Sequence, residues 1–189
     1  MARPRSFSAE QVVHAAQGVF WRSGYQQAAI GDLERATGLH RSSLYAAFGT
    51  KKAIFDQALD TYLSGFIGPR LAPLERPGAG TGDIERFLAG LVAFFRNDNR
   101  ARQGCLMINS IAEHEGRSDH LAGRAQDFQD RLHGALSNAL ASGHPPALAA
   151  ERAHVLTATT LGIWLMARID PAAAADACDA AIASVRRWR

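Results

Sequence analysis

Apolar positions along this chain recur at helical spacing, and the shortest such runs are the most informative. Ile30, Leu33 and Ala36 stand at i, i+3 and i+6, which predicts about two helical turns with one apolar side. Gly38, within Thr37-Gly38-Leu39, can take the left-handed conformation that ends a helix. Beyond it Leu44, Ala47 and Phe48 mark the inner side of a second short helix over 41–48, which leaves His40, Arg41, Ser42 and Tyr45 pointing elsewhere. A short helix anchored on its apolar side, and basic, hydroxylic and aromatic on the other, has the form of an element that enters a DNA groove.

Around this pair the pattern stays helical. Ser8 followed by Ala9-Glu10-Gln11 is a capping-box arrangement, and Val12, Val13, Ala16, Val19 and Phe20 carry the first helix to Gly24. Thr50 suits the N-cap of another helix, whose inner stripe is Ile54, Phe55, Ala58, Leu59 and Tyr62. Ile67 to Gly82 holds three prolines and several glycines, and is expected to break the helix and separate an N-terminal module from the remainder. The domains expected are 1–55 and 56–189.

The remainder reads as longer helices. Asp83 caps a segment to Asn97 with Ile84, Phe87, Leu88, Leu91, Val92 and Phe95 inward; segments over 103–115, 118–142, 147–169 and 172–188 follow, the last three separated by Pro145-Pro146 and Pro171. Strand-like alternation is hard to find, so the fold class expected is all-α, with about nine helices. The 147–169 segment is apolar on more than one side, through Leu156, Leu161, Ile163, Trp164, Leu165 and Met166, and needs a second cover. The alanine-dense last helix permits close approach. Two such helices from each of two chains would form a four-helix interface, so a homodimer through residues 147–189 is expected.

Composition adds limits. The 189 residues are 47% hydrophobic and 21% charged, which fits a globular chain. The formal net charge is only +3, but its distribution is uneven: Arg3, Arg5, Arg22, Arg35, Arg41, Lys51 and Lys52 face only Glu10, Asp32 and Glu34 over residues 1–55. Lys51 and Lys52 sit in the first turn of a helix, against its dipole, where a phosphate would satisfy them. Arg3 and Arg5 form either a solvated terminus or an arm reaching a phosphate or the minor groove. Cys105 and Cys178 are far apart behind a start, MARPRSFS, with no apolar segment, which leads us to expect free thiols in a reducing cytoplasm. The longest apolar stretch, Val155 to Ala167, holds three threonines and is shorter than the ~20 residues of a membrane helix, so no membrane partner is expected.

Gly24-Tyr25, Ile30, Asp32-Leu33, Ala36-Thr37-Gly38, Ser43-Leu44-Tyr45, Phe48 and Lys51 together resemble the N-terminal helix-turn-helix of the tetracycline-repressor (TetR) family of bacterial transcriptional regulators. The resemblance covers about residues 8–60; beyond residue 65 only helical layout and length match. It implies that helix 41–48 enters the major groove with Arg41, Ser42 and Ser43 near base edges, and that Tyr45, Thr50 and Lys51 hold phosphates; for Tyr45 a partly buried core role competes. His40 belongs to the same outer surface. Two departures stand out. Ala28-Ala29 replaces the usual hydroxyl pair, leaving Gln27 or a backbone amide to meet the phosphate there. Lys52 replaces the usual acid and is read as an extra phosphate charge.

A narrower resemblance joins Gly104-Cys105-Leu106, Asn109 and Glu113 to the subset that includes the N-ethylmaleimide-responsive repressor, in which the matching cysteine is the sensor. Cys105 is then either a reactive thiol at a helix start or a small space-filling residue; no lysine follows Lys52 to stabilise a thiolate. Cys178 is read as interface packing. Phe94, Cys105, Met107, Asn109, Phe128 and Trp164 are the candidate effector-binding residues, each apolar one equally placed to be core.

These readings converge on a dimeric DNA-binding repressor, released from a palindromic operator by a small-molecule or electrophile effector in the C-terminal domain. The signal would pass from helix 103–115 through the helix ending at Tyr62. No cofactor, metal or enzymatic activity is expected: the histidines are scattered, and neither a Gly-rich loop nor G-x-S-x-G stands out. The competing classes are a ligand carrier or structural dimer that has lost DNA binding, towards which Ala28-Ala29 leans, and an enzyme using Cys105 with His114 or His133.

Overall fold

The computed structural model describes residues 8–113 and 119–188. The expectations for Arg3 and Arg5, for His114, and for the helix ends at 115 and 118 lie outside those residues. The described residues are all-helical, and the chain forms two compact units, Met1–Phe66 and Ile67–Arg189.

In the first unit α1 (Ala9–Gln27) packs on α4 (Lys51–Tyr62) and on α2 (Ile30–Thr37), while α3 (Arg41–Phe48) is held by α2 and α4. The Ser8 capping box forms in full: Ser8 Oγ accepts from Gln11 N–H and Gln11 Oε1 accepts from Ser8 N–H, both at 3.2 Å. The core joins Val12, Val13, Ala16, Leu33, Leu44, Ile54 and Leu59 to a ring cluster. There Phe20 meets Phe55 edge-on at 5.2 Å and Trp21 meets Tyr62 at 5.0 Å and Phe66 at 4.8 Å. Such pairs add about 0.5–1.5 kcal/mol each beyond area burial. The inner faces of the short helices are narrower than the pattern suggests. Ala36 and Ala47 are exposed and Phe48 is half-buried; Leu33, Thr37 and Leu44 anchor the pair. An alanine at helical spacing says little about facing, because it gains little by burial.

In the second unit α5 (Gly68–Glu75), α6 (Thr81–Asn97), a 3₁₀ turn (Ala101–Gln103), α7 (Leu106–Glu113), α8 (Asp119–Ala141), α9 (Pro146–Ala167) and α10 (Pro171–Arg186) follow in order. α10 lies along α6 and α9, and α8 packs on α9 and α5. Asp83 reaches back to Gly80 N–H at 3.0 Å and also receives Arg76 and Arg86, which hold its carboxyl below the usual carboxylate range. Among the described residues no helix is long and apolar enough to cross a membrane.

Two expectations change here. The helix does not break at Ile67: a π-helical turn at Leu63–Ile67 leads directly into α5, and the chain leaves the helix only after Glu75. Pro69 falls in the first turn of α5, where a missing N–H is no loss, and the wider π-turn takes up the change of register. Cys178 is not interface packing. It is wholly buried within its own unit, on the same face of α10 as Ala174, Ala175, Ala181, Ile182 and Val185. The alanines give α10 its close approach to the rest of its own chain.

Candidate nucleic-acid interface

α3 lies between two glycines that only a residue without Cβ fits well, Gly38 at φ 71° and Gly49 at φ 81°. Gly38 N–H donates to Glu34 O at 2.9 Å and Gly49 N–H to Tyr45 O at 2.8 Å, so each turn closes the helix before it. Leu44 alone is fully buried from α3; Arg41, Ser42 and Ser43 are exposed and Tyr45 is half-buried. The N-cap, His40, makes no side-chain cap. Glu34 does so from the preceding helix, its Oε1 accepting from Arg41 N–H at 2.7 Å, with His40 Nδ1 at 4.0 Å. The Arg41 guanidinium lies over the Tyr45 ring at 5.3 Å, so the half-buried phenol supports the arginine next to it.

α4 begins on the same side of the unit's fold. Thr50 Oγ accepts from Ala53 N–H at 3.0 Å, which caps the helix and leaves the hydroxyl proton available to an acceptor outside. The two lysines differ. Lys52 pairs with Asp56 one turn on, at 2.7 Å, so the acid missing after Lys51 has a counterpart four residues later. Lys51 sits 4.7 Å from the Tyr25 ring centre and 3.5 Å from the Gln26 carbonyl oxygen, at the end of α1. Its charge against the α4 dipole is therefore met inside the unit as well as from outside. Gln27, the exposed last residue of α1, is next to it in the chain. The Ala28-Ala29 departure is also repaired in part: Asp32 Oδ2 accepts from Ala29 N–H at 3.1 Å, supplying a cap from the third helical position.

Sequence reasoning missed Glu34 and Tyr25 as parts of this surface. Tyr25 was visible only as one residue of a family pattern, and Glu34 only as one of three acids in a basic segment. The signal for Glu34 is an acid in the last turn before a helix-turn-helix glycine, where its side chain can reach over the turn to the next helix start.

In the second unit a cavity of ≈ 10 Å³, room for about one water, lies among Ile67, Arg70, Leu71, Phe87, Phe128, Leu132, Thr160 and Trp164. Two of the candidate effector residues, Phe128 and Trp164, line it, and Phe94 packs on Trp164 at 5.7 Å and under Arg70 at 5.7 Å. Cys105, Met107 and Asn109 are buried but are not among its lining residues. Cys105 immediately precedes α7 and its carbonyl accepts from Asn109 N–H at 2.9 Å; the Asn109 amide donates to Gln103 O at 2.6 Å. Sequence reasoning missed Thr160, whose buried hydroxyl oxygen has no hydrogen-bond partner among the described residues. A lone hydroxyl at an inward position of an otherwise apolar helix was its signal. His133 lies 3.2 Å from Thr157 Oγ and stacks on His154. Among the described residues no group of three His, Cys, Asp or Glu side chains could hold a metal ion.

The two short helices, their glycine turns and the cationic surface define a helix-turn-helix protein of the DNA-binding class. Residues 12–58 match the family model described as bacterial regulatory proteins, tetR family. The chain is 34% identical over 113 residues to an uncharacterized HTH-type transcriptional regulator, YezE, of Bacillus subtilis (strain 168), which covers 60% of this chain and 58% of that one. It is 33% identical over 110 residues to the HTH-type transcriptional repressor ComR of Escherichia coli (strain K12), covering 57% and 51%. The chain thus spans little more than half the length of these curated relatives. A solved structure of the TetR family transcriptional regulator CifR, a cysteine variant in complex with a 26-base-pair operator duplex, superposes with a TM-score of 0.73 at 26% identity over 98% of this chain and 97% of that one. The chain belongs to the tetR family of bacterial regulatory proteins.

Proposed function

We propose that this protein is a dimeric DNA-binding transcriptional repressor, released from a palindromic operator by a small effector taken up in the second unit. The observation that carries the reading is α3: a helix anchored by one buried leucine, closed by glycine turns at both ends, with Arg41, Ser42 and Ser43 exposed and the arginine braced on Tyr45. Arginine in such a place can donate two hydrogen bonds to one guanine edge. His40, Tyr45, Thr50, Lys51, Lys52 and Gln27 then serve the backbone and the helix ends around it.

Dimerisation is supported by α9, where Val155, Leu165, Met166 and Ile169 are exposed large apolar side chains on a helix whose other face is buried. A second copy offering the same face would cover them and set two α3 helices at a fixed spacing. Effector uptake is supported by the cavity beside Phe128, Trp164 and Thr160, which a ligand would have to widen. An electrophile acting at Cys105 would have to reach a wholly buried thiol, so adduct formation and loosening of α7 would be one event.

The test is selection of bound duplexes from a random DNA library. A two-fold symmetric site is expected, and Arg41→Ala should relax preference at one base pair in each half-site by about 1–3 kcal/mol. Absence of any enriched sequence, or uniform weakening over all sequences in the variant, would count against base reading by α3.

A further inference from the structure

We propose that Tyr25 is a positioning residue for DNA-backbone binding, its ring fixing the Lys51 ammonium in place for a phosphate; this rests on the DNA-binding reading above. Gly24, at φ 74° and ψ 175°, interrupts the helical run of α1 and re-aims its last turn. Only after that kink does the ring of Tyr25 lie beneath Lys51 Nζ, at 4.7 Å from its centre, while the carbonyl of the next residue, Gln26, accepts from the same ammonium at 3.5 Å. Tyr25 is itself fixed, meeting Phe55 edge-on at 5.0 Å and stacking with Phe20 at 6.3 Å.

The geometry has a specific consequence for binding. A lysine side chain has four rotatable bonds, and much of the gain from an ion pair with a phosphate is lost in fixing them. A ring face holds a cation without a counter-charge, so the ammonium keeps its full charge and its remaining N–H donors for an incoming anion. Lys52 is the internal contrast: bound to Asp56, it must break an ion pair before it meets a phosphate. Of two adjacent lysines, Lys51 is the one prepared in advance.

Affinity for a mixed-sequence DNA duplex is measured against salt for the full chain and its variants. Lys51→Met should lower the slope by about 0.9, the share of one phosphate. Tyr25→Phe, which keeps the ring face, should bind like the native chain, whereas Tyr25→Leu should weaken binding about two- to fivefold and shrink the further loss on Lys51→Met. Because Tyr25→Leu also disturbs the aromatic core, fluorinated phenylalanines at position 25 provide the second arm. They keep the shape and drain the ring of charge, and affinity should fall with each added fluorine. A flat fluorine series, or an undiminished Lys51→Met loss in Tyr25→Leu, overturns the role of Tyr25 while leaving DNA binding by Lys51 intact. A native chain that binds no duplex overturns both.

Discussion

Cys178 shows how far burial alone can set the chemistry of a residue. It sits among alanines with no exposed surface, and burial, followed by the neighbouring charge of Asp179, pushes its thiol up to about 12 from an ordinary 9.0. A thiol that ionises later in the folded chain than in the unfolded one contributes stability that is complete below pH about 9. That stability is lost as the pH rises from there towards about 12. Denaturant titrations at both ends of that window should show the native chain weakening more than Cys178→Ala. Equal weakening would mean that the group ionises freely in the fold. Asp83 runs the other way. Its carboxyl, lowered by Gly80 N–H and by Arg86 and Arg76, stabilises the fold above the ordinary carboxylate pKa, and that contribution disappears as the pH falls through the lowered value.

At the scale of elements, the turn into α7 is the most constrained. Gly104 adopts φ 64°, and a Cβ there would lie 2.8 Å from Arg168 Cγ and 3.1 Å from the Trp164 carbonyl oxygen. Gly104→Ala should therefore destabilise the second unit by about 1–3 kcal/mol. Gly90→Ala, in open space on the exposed side of α6, should instead stabilise by about 0.5–1 kcal/mol. Urea unfolding of both variants checks the contrast. The element plan was legible where local chemistry fixes it: the Ser8 box, the Thr50 cap, the Gly38 turn and the bounds of α3 all follow from hydrogen bonds within a few residues. It was not legible where partners distant in sequence decide. The proline-rich stretch after Ile67 stays helical because a π-turn absorbs Pro69, and α7 starts after Cys105 rather than at Gln103 because Gly104 must pass close to α9. For the candidate interface, the exposed residues of α3 and α4 could be read from periodicity. The props beneath them, Glu34 and Tyr25, depend on contacts between helices that no period reveals.

For the whole molecule, the exposed apolar side of α9 is the feature from which assembly follows. Leu165 is 52% exposed in the single chain, so Leu165→Arg removes no packing within its own unit. In the dimer proposed above, the same change buries an unpaired charge. Sedimentation should then find the variant as a folded monomer with non-cooperative, much weaker operator binding, and a native-like dimer would exclude this face. The border between the two compact units offers a different consequence. It falls at Phe66 and Ile67, inside the π-helical turn, where the backbone is hydrogen-bonded on both sides and the aromatic side chains of Tyr62 and Phe66 are buried. Chymotrypsin, which cleaves beside exposed aromatic residues on extended chain, has nothing to grip there. The two units meet at a seam that a protease can enter only by first unwinding the helix.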